Sequence, residues 1–366
     1  MGARGESTEF YHYPGEMLAE AAGFPALSWF RPGEAGRPLV VFVPGAHHLA
    51  RIAYGGHDGA RAEDFLAHWL AERGFPFLAA SYPVATPRAA MPGPFPAFTA
   101  RDWGRQVAAL ARRTVEAHGL APRLVVLVWS MAGKIAQSVH EAAREAGLAV
   151  DLVVGFAATP GIPGIPAWSQ EFRMAPSGYV TRPEIYADWD RQLDEVEATE
   201  RRVVLPREVF LSEYVGDFPV SLYGYGQIYR DGRFVRDHMA QAMDIKSFAF
   251  DDFPVMGTLT PSGRLDARHA LTDRAVWGLY NIQTVVQRLV RASGCRLDDL
   301  PEAAWRRLVA LSDALPERLC LRMPGNHFFF VGETGARATA AAVATLITRA
   351  KAVEAEVAAC LAGVGA

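Results

Sequence analysis

The segment 124–134 constrains the fold more than any other part of the chain, because a continuous apolar run leads directly into a serine. The five residues from Leu124 to Val128 are all apolar, as a strand buried on both faces of a sheet requires. Ser130 follows after one tryptophan, and small residues and a helical pattern come next. The segment therefore predicts a strand, a tight turn that carries a serine, and a helix.

Strand and helix patterns alternate through the first two-fifths of the chain. The predicted strands are 38–43, 75–82, 124–128 and 150–156, preceded by short antiparallel edge strands at 11–14 and 26–31. The predicted helices are 62–73, 100–118 and 135–146. Because successive parallel strands need helical crossovers between them, this alternation predicts an α/β fold with a mostly parallel central sheet flanked by helices.

The alternation stops between residues 159 and 252, where prolines, aromatic residues and charged residues are frequent and helical patterns are short. Strand patterns return at 253–259 and 318–323, and a long helix is predicted near the C-terminus, at 335–359. We therefore predict a core formed by residues 1–158 and 253–366, with a mainly helical cap inserted at 159–252. The alternative is helical decoration that does not contact the substrate.

The composition excludes several classes of partner. A net charge of -3 gives no electrostatic basis for binding nucleic acid or an anionic membrane. The N-terminus lacks the apolar run of a signal peptide, and no run of about 18 apolar residues could span a bilayer. The three cysteines lie far apart and contain no C-x-x-C pair, which favours a reducing compartment. We therefore expect a cytoplasmic protein, with a homodimer left open.

Ser130 is the candidate nucleophile, since a turn after a buried strand projects its hydroxyl into a cleft. The usual pattern G-x-S-x-G has glycines where this chain has Val128 and Ala132, and Gly133 follows one place later. A helix N-cap is one alternative role for this serine. A phosphate-binding P-loop is excluded, because Val128 replaces its first glycine and Ile135 its Ser or Thr.

His327 is the candidate general base. It follows a short apolar segment and a Pro-Gly pair, on a loop just past the last predicted strand. A histidine in that position can reach a serine at the mouth of a parallel sheet, and its ordinary pKa suits a group that first accepts and then donates a proton. The alternative is a loop histidine packed by the three phenylalanines that follow, with His47 and His48 as the rival bases.

The acid that would orient the base is expected after a strand between the serine and the histidine. Asp266 is the first choice, since it comes just after the predicted strand 253–259. Asp298 and Asp299 are nearer to His327 in the sequence, but they resemble a helix cap. Asp217 and Asp313 are further alternatives.

These motifs resemble those of the α/β-hydrolase superfamily. The resemblance rests on the Trp-Ser-Met-Ala-Gly turn at 129–133, the Pro-Gly-Ala loop at 44–46, the Gly-Asn-His loop at 325–327 and the order of strands and helices around them. The Gly-Asn-His-Phe-Phe stretch is also similar to the histidine loop of stand-alone thioesterases. The resemblance implies that Ser130, His327 and Asp266 act as a catalytic triad.

The resemblance further implies an oxyanion hole. In this fold one backbone N–H comes from the loop after the first buried strand and one from the residue after the nucleophile, which here are Ala46 and Met131. A glycine before Ala46 lets that loop pass close to the substrate. The expected pocket residues are Gly45, His47, His48 and Trp129. With His57 and Asp58, the paired histidines match no compact metal spacing, so no metal and no cofactor is expected.

The predicted function is hydrolysis of an ester or thioester through an acyl-enzyme intermediate. The same machinery could serve an acyltransferase or a carbon–carbon bond hydrolase, and a non-catalytic binding protein with this fold is a further alternative. The aromatic residues of the insertion favour a bulky, apolar small-molecule acyl substrate. For a thioesterase, that substrate would be bound to a carrier protein.

Overall fold

An eight-stranded mixed sheet forms the centre of the protein in the computed structural model, which describes residues 10–163, 173–224, 226–291, 293–294 and 296–362. Along the described chain the strands are β1 (Glu16–Ala21), β2 (Phe24–Arg31), β3 (Leu39–Val43), β4 (Phe77–Ser81), β5 (Arg123–Trp129), β6 (Ala149–Phe156), β7 (Arg173–Met174), β8 (Tyr179–Thr181), β9 (Phe218–Pro219), β10 (Gln227–Arg230), β11 (Arg233–Arg236), β12 (Met256–Pro261) and β13 (Cys320–Met323). The central sheet has the order β1-β2-β4-β3-β5-β6-β12-β13.

The described part of the chain contains ten α-helices, and those before residue 150 alternate with strands as the sequence predicts. They are α1 (Leu66–Ala71), α2 (Ala100–His118), α3 (Ala136–Glu145), α4 (Tyr186–Glu200), α5 (Arg207–Val209), α6 (Val220–Tyr223), α7 (His238–Asp244), α8 (Ala267–Thr284), α9 (Glu302–Arg318) and α10 (Glu333–Leu361). The predicted bounds of α2 are confirmed, because a capping box of Thr99 and Asp102 starts it and the left-handed Gly119 ends it.

The central sheet has a switch point between β3 and β5. From β3 the chain first crosses to β4 on one side, and it then returns to place β5 on the other side. Within the sheet only β2 runs against its neighbours, and the pairs from β4 to β13 are parallel. Because loops diverge at such a switch point, a crevice opens beyond the carboxyl ends of β3 and β5.

The core lies on both faces of the sheet, since alternate residues of each strand point to opposite sides. Val40 and Phe42 of β3 pack in one apolar cluster with residues of α1 and α10. Leu39, Val41 and Val43 pack in the other cluster with residues of α2 and α3. This burial on both faces explains why β3 and β5 appear in the sequence as unbroken apolar runs. The expected α/β fold with a mostly parallel, helix-flanked sheet is confirmed.

The described residues between 159 and 252 contribute no strand to the central sheet. They form a small antiparallel sheet of β7, β8 and β9, the hairpin β10–β11, and the helices α4 to α7. The segment thus combines helices with short strands. Its division from the core as a separate cap stays a prediction.

Two sequence predictions near the N-terminus were wrong. Residues 11–14 are not a strand, and β1 begins after them at Glu16. The helix predicted at 62–73 is interrupted at Phe65, whose extended backbone separates a short 3-10 turn from α1. Phe65 is fully buried, so its side-chain packing overrides the helical periodicity of the segment. Among the described residues, none of the helices is long and apolar enough to cross a membrane.

Candidate active site

A cavity of about 410 Å³ lies at the switch point of the sheet. The segments that follow β3, β5, β6, β12 and β13 line it, and helix α4 with Arg182, Ile185 and Tyr223 of the predicted insertion completes the lining. Its lining includes most of the side chains that the sequence singles out, namely Gly45, Ala46, Trp129, Ser130, Asp266 and His327. The fold therefore brings together residues that lie far apart in the chain.

Ser130 occupies a strained turn at the end of β5. Its backbone has a φ of 55°, in the left-handed region that non-glycine residues rarely adopt. A 3-10 turn, Ser130–Ile135, follows and leads into α3. This is the geometry of a nucleophile turn, and it forms although Val128 stands where such turns prefer glycine.

Two glycines allow this turn to pack closely against neighbouring backbone. A Cβ atom on Gly45 would lie 2.7 Å from Cβ of Ser130, so only glycine lets the loop after β3 approach the serine so closely. A Cβ atom on Gly133 would lie 2.4 Å from the carbonyl oxygen of Thr159. Gly133, one place after Ala132, therefore allows a close backbone approach at this turn. Val128 packs in the apolar core between its strand partners Val43 and Gly155.

His327 and Asp266 form a hydrogen-bonded pair. The Nδ1 atom of His327 lies 2.6 Å from a carboxylate oxygen of Asp266, although the two residues are 61 positions apart. Asp266 follows β12 and His327 follows β13, and these strands are parallel neighbours in the sheet. The N–H of Gly263 donates to the carbonyl oxygen of Gly325 over 2.7 Å, which holds the two loops side by side.

The charge state of Asp266 follows from its surroundings. Burial opposes its ionisation, but the imidazole of His327, through its charge and its hydrogen bond, holds the pKa of Asp266 below the ordinary value for aspartate. An ionised Asp266 accepts the Nδ1–H of His327, which leaves Nε2 as the proton acceptor.

The other candidate acids lie elsewhere. Asp298 and Asp299 are exposed and pair with Arg296, Asp313 is exposed on α9, and Asp217 lies beside Ala85 in an isolated backbone bridge. Among the described residues, Asp266 is the aspartate that His327 contacts through a hydrogen bond.

The N–H groups of Ala46 and Met131 are available to an oxyanion. Both residues line the cavity next to Ser130. Within the described part of the chain, neither N–H donates a hydrogen bond to another residue. Since buried or half-buried N–H groups in proteins are nearly always paired, two free donors beside a serine are typical of an oxyanion hole.

The paired histidines after β3 have different positions. His48 lines the cavity against the rings of Trp129 and Trp189, and its Nδ1–H donates to the carbonyl oxygen of Ala46 over 2.8 Å. His47 is fully buried behind that surface and donates to the carbonyl oxygen of Gly216, so the expectation that His47 lines the pocket is not met. Burial lowers the pKa of each to about 3, which keeps both rings neutral.

Helix α4 contributes Trp189, one of the aromatic residues expected to form the pocket wall, and Gln192, which the sequence analysis missed. Trp189 and Gln192 line the cavity, and the side-chain oxygen of Gln192 accepts the N–H of His327 over 3.2 Å. Asn326 donates to the carbonyl oxygen of Gln192 and to the carboxylate of Glu195. The asparagine beside His327 was visible in the sequence, but only the fold reveals its partners on α4.

Asp266, His269 and His327 lie close enough together to suggest a metal site, with ligand atoms within 4.8 Å of one another. The hydrogen bonds of this group argue against that use. Asp266 accepts from His327, and a guanidinium nitrogen of Arg268 lies 2.6 Å from Nε2 of His269. A second cation at this position would meet the charge of Arg268 at short range.

The chain matches no family model and no curated protein. Among solved structures it is similar to E-2-(acetamidomethylene)succinate hydrolase, with 16% identity over 92% of this chain and 100% of that one and a TM-score of 0.43. It is also similar to the thioesterase domain from the curacin biosynthetic pathway, with 12% identity, coverage of 90% and 98%, and a TM-score of 0.40. The corresponding values for Est1E from Butyrivibrio proteoclasticus are 11%, 92%, 99% and 0.41.

The fold rests instead on the topology of the chain itself. The sheet is parallel apart from β2, its order reverses between β3 and β5, and the serine-bearing turn follows β5. The aspartate and the histidine then follow later strands in chain order. With this strand order and these loops, the chain has the α/β-hydrolase fold.

Proposed function

We propose that this protein is a serine hydrolase that cleaves an ester or thioester through an acyl-enzyme intermediate. The observation that carries the proposal is the shared cavity of Ser130, on its strained turn, and the hydrogen-bonded pair His327–Asp266. The unpaired N–H groups of Ala46 and Met131 support it, because acyl transfer needs donors for a developing oxyanion.

In the proposed mechanism the Oγ atom of Ser130 attacks the carbonyl carbon while Nε2 of His327 accepts the hydroxyl proton. Asp266 stabilises the resulting imidazolium, and the N–H groups of Ala46 and Met131 bind the oxyanion. When the tetrahedral intermediate collapses, His327 donates the proton to the departing alcohol or thiol. Water then attacks the acyl-enzyme while His327 accepts its proton. His327 returns that proton to the Oγ atom of Ser130 as the acid leaves.

The cavity offers apolar surface for the acyl group. Trp129, Trp189 and Ile185 line it, and His48 packs its neutral ring between the two tryptophans. Apolar and aromatic walls with a few polar groups are typical of small-molecule sites. We therefore propose a small-molecule acyl substrate whose carbon chain lies against these rings.

Covalent labelling tests the proposal. A fluorophosphonate probe should attach to the wild-type protein at Ser130, as identified by peptide mass spectrometry, and should not attach to the Ser130→Ala variant. Ser138, a buried serine on α3, provides the matched control, and Ser138→Ala should be labelled like the wild type. A folded wild-type protein that stays unlabelled would contradict the proposed function.

A further inference from the structure

Three cationic side chains of the described chain line the cavity that contains Ser130: Lys134, Arg182 and Arg268. They come from separate parts of the fold, namely the turn after β5, the end of β8 and the start of α8. The proposed acyl-transfer chemistry uses none of them. Their presence in one small cavity therefore needs another explanation.

Both carboxylates that line the cavity already have partners. Asp266 pairs with His327, and Asp188 forms an ion pair with Arg191 on its own helix. Among the described residues, Lys134 and Arg268 form no ion pair, although the charge of Arg268 acts at longer range on Asp266 and Asp273. The lining thus holds three basic side chains and two carboxylates, and both carboxylates have other partners.

Lys134 is the most deeply buried of the three cations. Its ammonium group donates to the carbonyl oxygens of Leu222, over 3.1 Å, and Tyr223, over 2.7 Å. Burial and the nearby charge of Arg268 lower the pKa of Lys134 to about 7. Two carbonyl oxygens solvate an ammonium group without neutralising it, so a bound anion would stabilise its charged form.

Arg182 is incompletely paired. Its side chain is 15% exposed, and its Nε atom lies 3.9 Å from the nearest described carboxylate, that of the exposed Glu184, which is beyond hydrogen-bond distance. Its Nε atom is buried and has no hydrogen-bond partner among the described residues. Its guanidinium lies 5.0 Å from the ring centroid of Tyr223, the residue whose carbonyl oxygen binds Lys134. A buried donor left without a partner is costly unless a ligand supplies one.

Arg268 is exposed at the edge of the cavity, but its guanidinium has a defined position. It donates to the hydroxyl of Thr159 over 3.1 Å and to Nε2 of His269 over 2.6 Å. The Nδ1 atom of His269 lies 2.9 Å from Asp273. Burial lowers the pKa of His269 well below the ordinary value, so its neutral ring can accept from Arg268.

We propose that Lys134, Arg182 and Arg268 form a carboxylate-binding subsite, so that the substrate is an ester or thioester that also carries a carboxylate. The inference rests on the proposed function for the reaction and on the cavity for the anion. Arginine matches the planar geometry of a carboxylate with two parallel N–H donors, and a cavity of about 410 Å³ encloses a small molecule.

A matched pair of esters tests the subsite. Monomethyl glutarate carries one ester and one carboxylate, and dimethyl glutarate replaces that carboxylate with a neutral ester. In the wild-type protein we expect kcat/KM to be about 10²-fold higher for the monoester, because unpaired polar groups in a site reject an analogue that lacks their partner. Equal values, or a preference for the diester, would overturn the subsite.

Substitutions of the two arginines test which residues cause the preference for the monoester. Arg182→Gln and Arg268→Gln should each reduce the ratio of the two kcat/KM values by at least tenfold. Arg306→Gln, on the exposed face of α9, is the matched control and should leave the ratio unchanged. A ratio that stays at the wild-type value in both cavity variants would assign the preference to other residues and overturn the proposal.

Binding separates the subsite from the catalytic proposal. Isothermal titration of the Ser130→Ala protein should detect binding of monomethyl glutarate. At the same concentration it should detect no binding of dimethyl glutarate. If wild-type Ser130 resists labelling while monomethyl glutarate still binds, the proposed function fails and the subsite stands. If Ser130 is labelled but the monoester does not bind, the subsite fails and the proposed function stands. Tighter binding of inorganic phosphate than of the monoester would overturn the choice of carboxylate.

Discussion

Asp266 shows how the environment of one residue determines its chemistry. The carboxyl group is mostly buried, which alone would favour the neutral form, yet its contact with His327 keeps it ionised. Asp273, a few residues later, is also mostly buried, and burial raises its pKa to about 8. The pKa values of these two aspartates therefore move in opposite directions, because only Asp266 is hydrogen-bonded to His327 and its charge opposes the ionisation of Asp273.

Asp266→Asn should reduce kcat for a susceptible ester by several orders of magnitude, about 10⁴-fold if it behaves like the serine-protease template. The amide keeps the shape of the side chain but stabilises the wrong tautomer of His327. Steady-state kinetics measures the effect, and Asp298→Asn is the matched control because Asp298 is exposed and distant from the cavity. Unchanged turnover in Asp266→Asn would move the acid elsewhere.

Gly45→Ala should nearly abolish labelling of Ser130. The added Cβ atom would lie 2.7 Å from Cβ of Ser130, so either the serine or the loop after β3 must move. Overpacking of this kind costs about 1–3 kcal/mol in stability. Gly36→Ala is the control, because its added Cβ atom would have no neighbour within 4 Å. Labelling of Gly45→Ala at the wild-type rate would show that the close approach is dispensable.

At the scale of secondary-structure elements, helix α4 supports the histidine loop from outside the central sheet. Its carbonyl and carboxylate oxygens accept from Asn326, and its Gln192 accepts the N–H of His327. The loop itself is closed by the N–H of Phe328, which donates to the side-chain oxygen of Asn326. A helix of the predicted insertion thus determines where the candidate base is held.

Asn326→Ala should slow fluorophosphonate labelling of Ser130 and lower the free energy of unfolding by about 1–3 kcal/mol, since buried partners lose their hydrogen bonds. Asn281→Ala is a matched control. Asn281 is equally buried and makes two hydrogen bonds with the backbone of Met256, away from the histidine loop. Urea unfolding should show a loss of stability in both variants, and labelling should slow only in Asn326→Ala. Equal labelling rates would contradict the role of α4.

At the scale of the whole molecule, buried neutral histidines make stability depend on pH. His47 and His48 have pKa values lowered to about 3 by burial, whereas an unfolded chain protonates histidine near its ordinary value of 6.5. Between these values the unfolded state binds more protons than the folded state. The contribution of these residues to stability therefore rises with pH across this window and is lost as the pH falls.

His47→Gln should make the free energy of unfolding less sensitive to acid between pH 6.5 and 4. The reduction in slope is at most about 1.4 kcal/mol per pH unit for one proton. Urea unfolding at a series of pH values measures it, and His118→Gln, at the exposed end of α2, should keep the wild-type slope. If His47→Gln also keeps that slope, His47 is not the group that takes up the proton.

Local patterns predicted much of the fold, because a strand buried on both faces of a sheet appears in the sequence as a continuous apolar run. The apolar runs at β3 and β5 predicted the parallel sheet, and the spacing of apolar residues predicted helix α2 with the bounds that the structure shows. The candidate serine and histidine were visible for the same reason, since each follows a strand. The break at Phe65 and the absence of a strand at 11–14 were not visible, because long-range contacts act at both places. Phe65 is buried in the core, and the backbone of Tyr11 bonds to Ala89 and to the side chain of Arg51.

The sequence by itself determined the order of the elements and the identities of Ser130 and His327 as candidates. Only the tertiary structure decided which aspartate meets that histidine, because Asp266 becomes its neighbour through the pairing of β12 with β13. The tertiary structure likewise buried His47 and gathered Lys134, Arg182 and Arg268 around one cavity. The physical reason is that periodicity records which face of an element is buried, whereas contacts between distant side chains depend on how the elements pack.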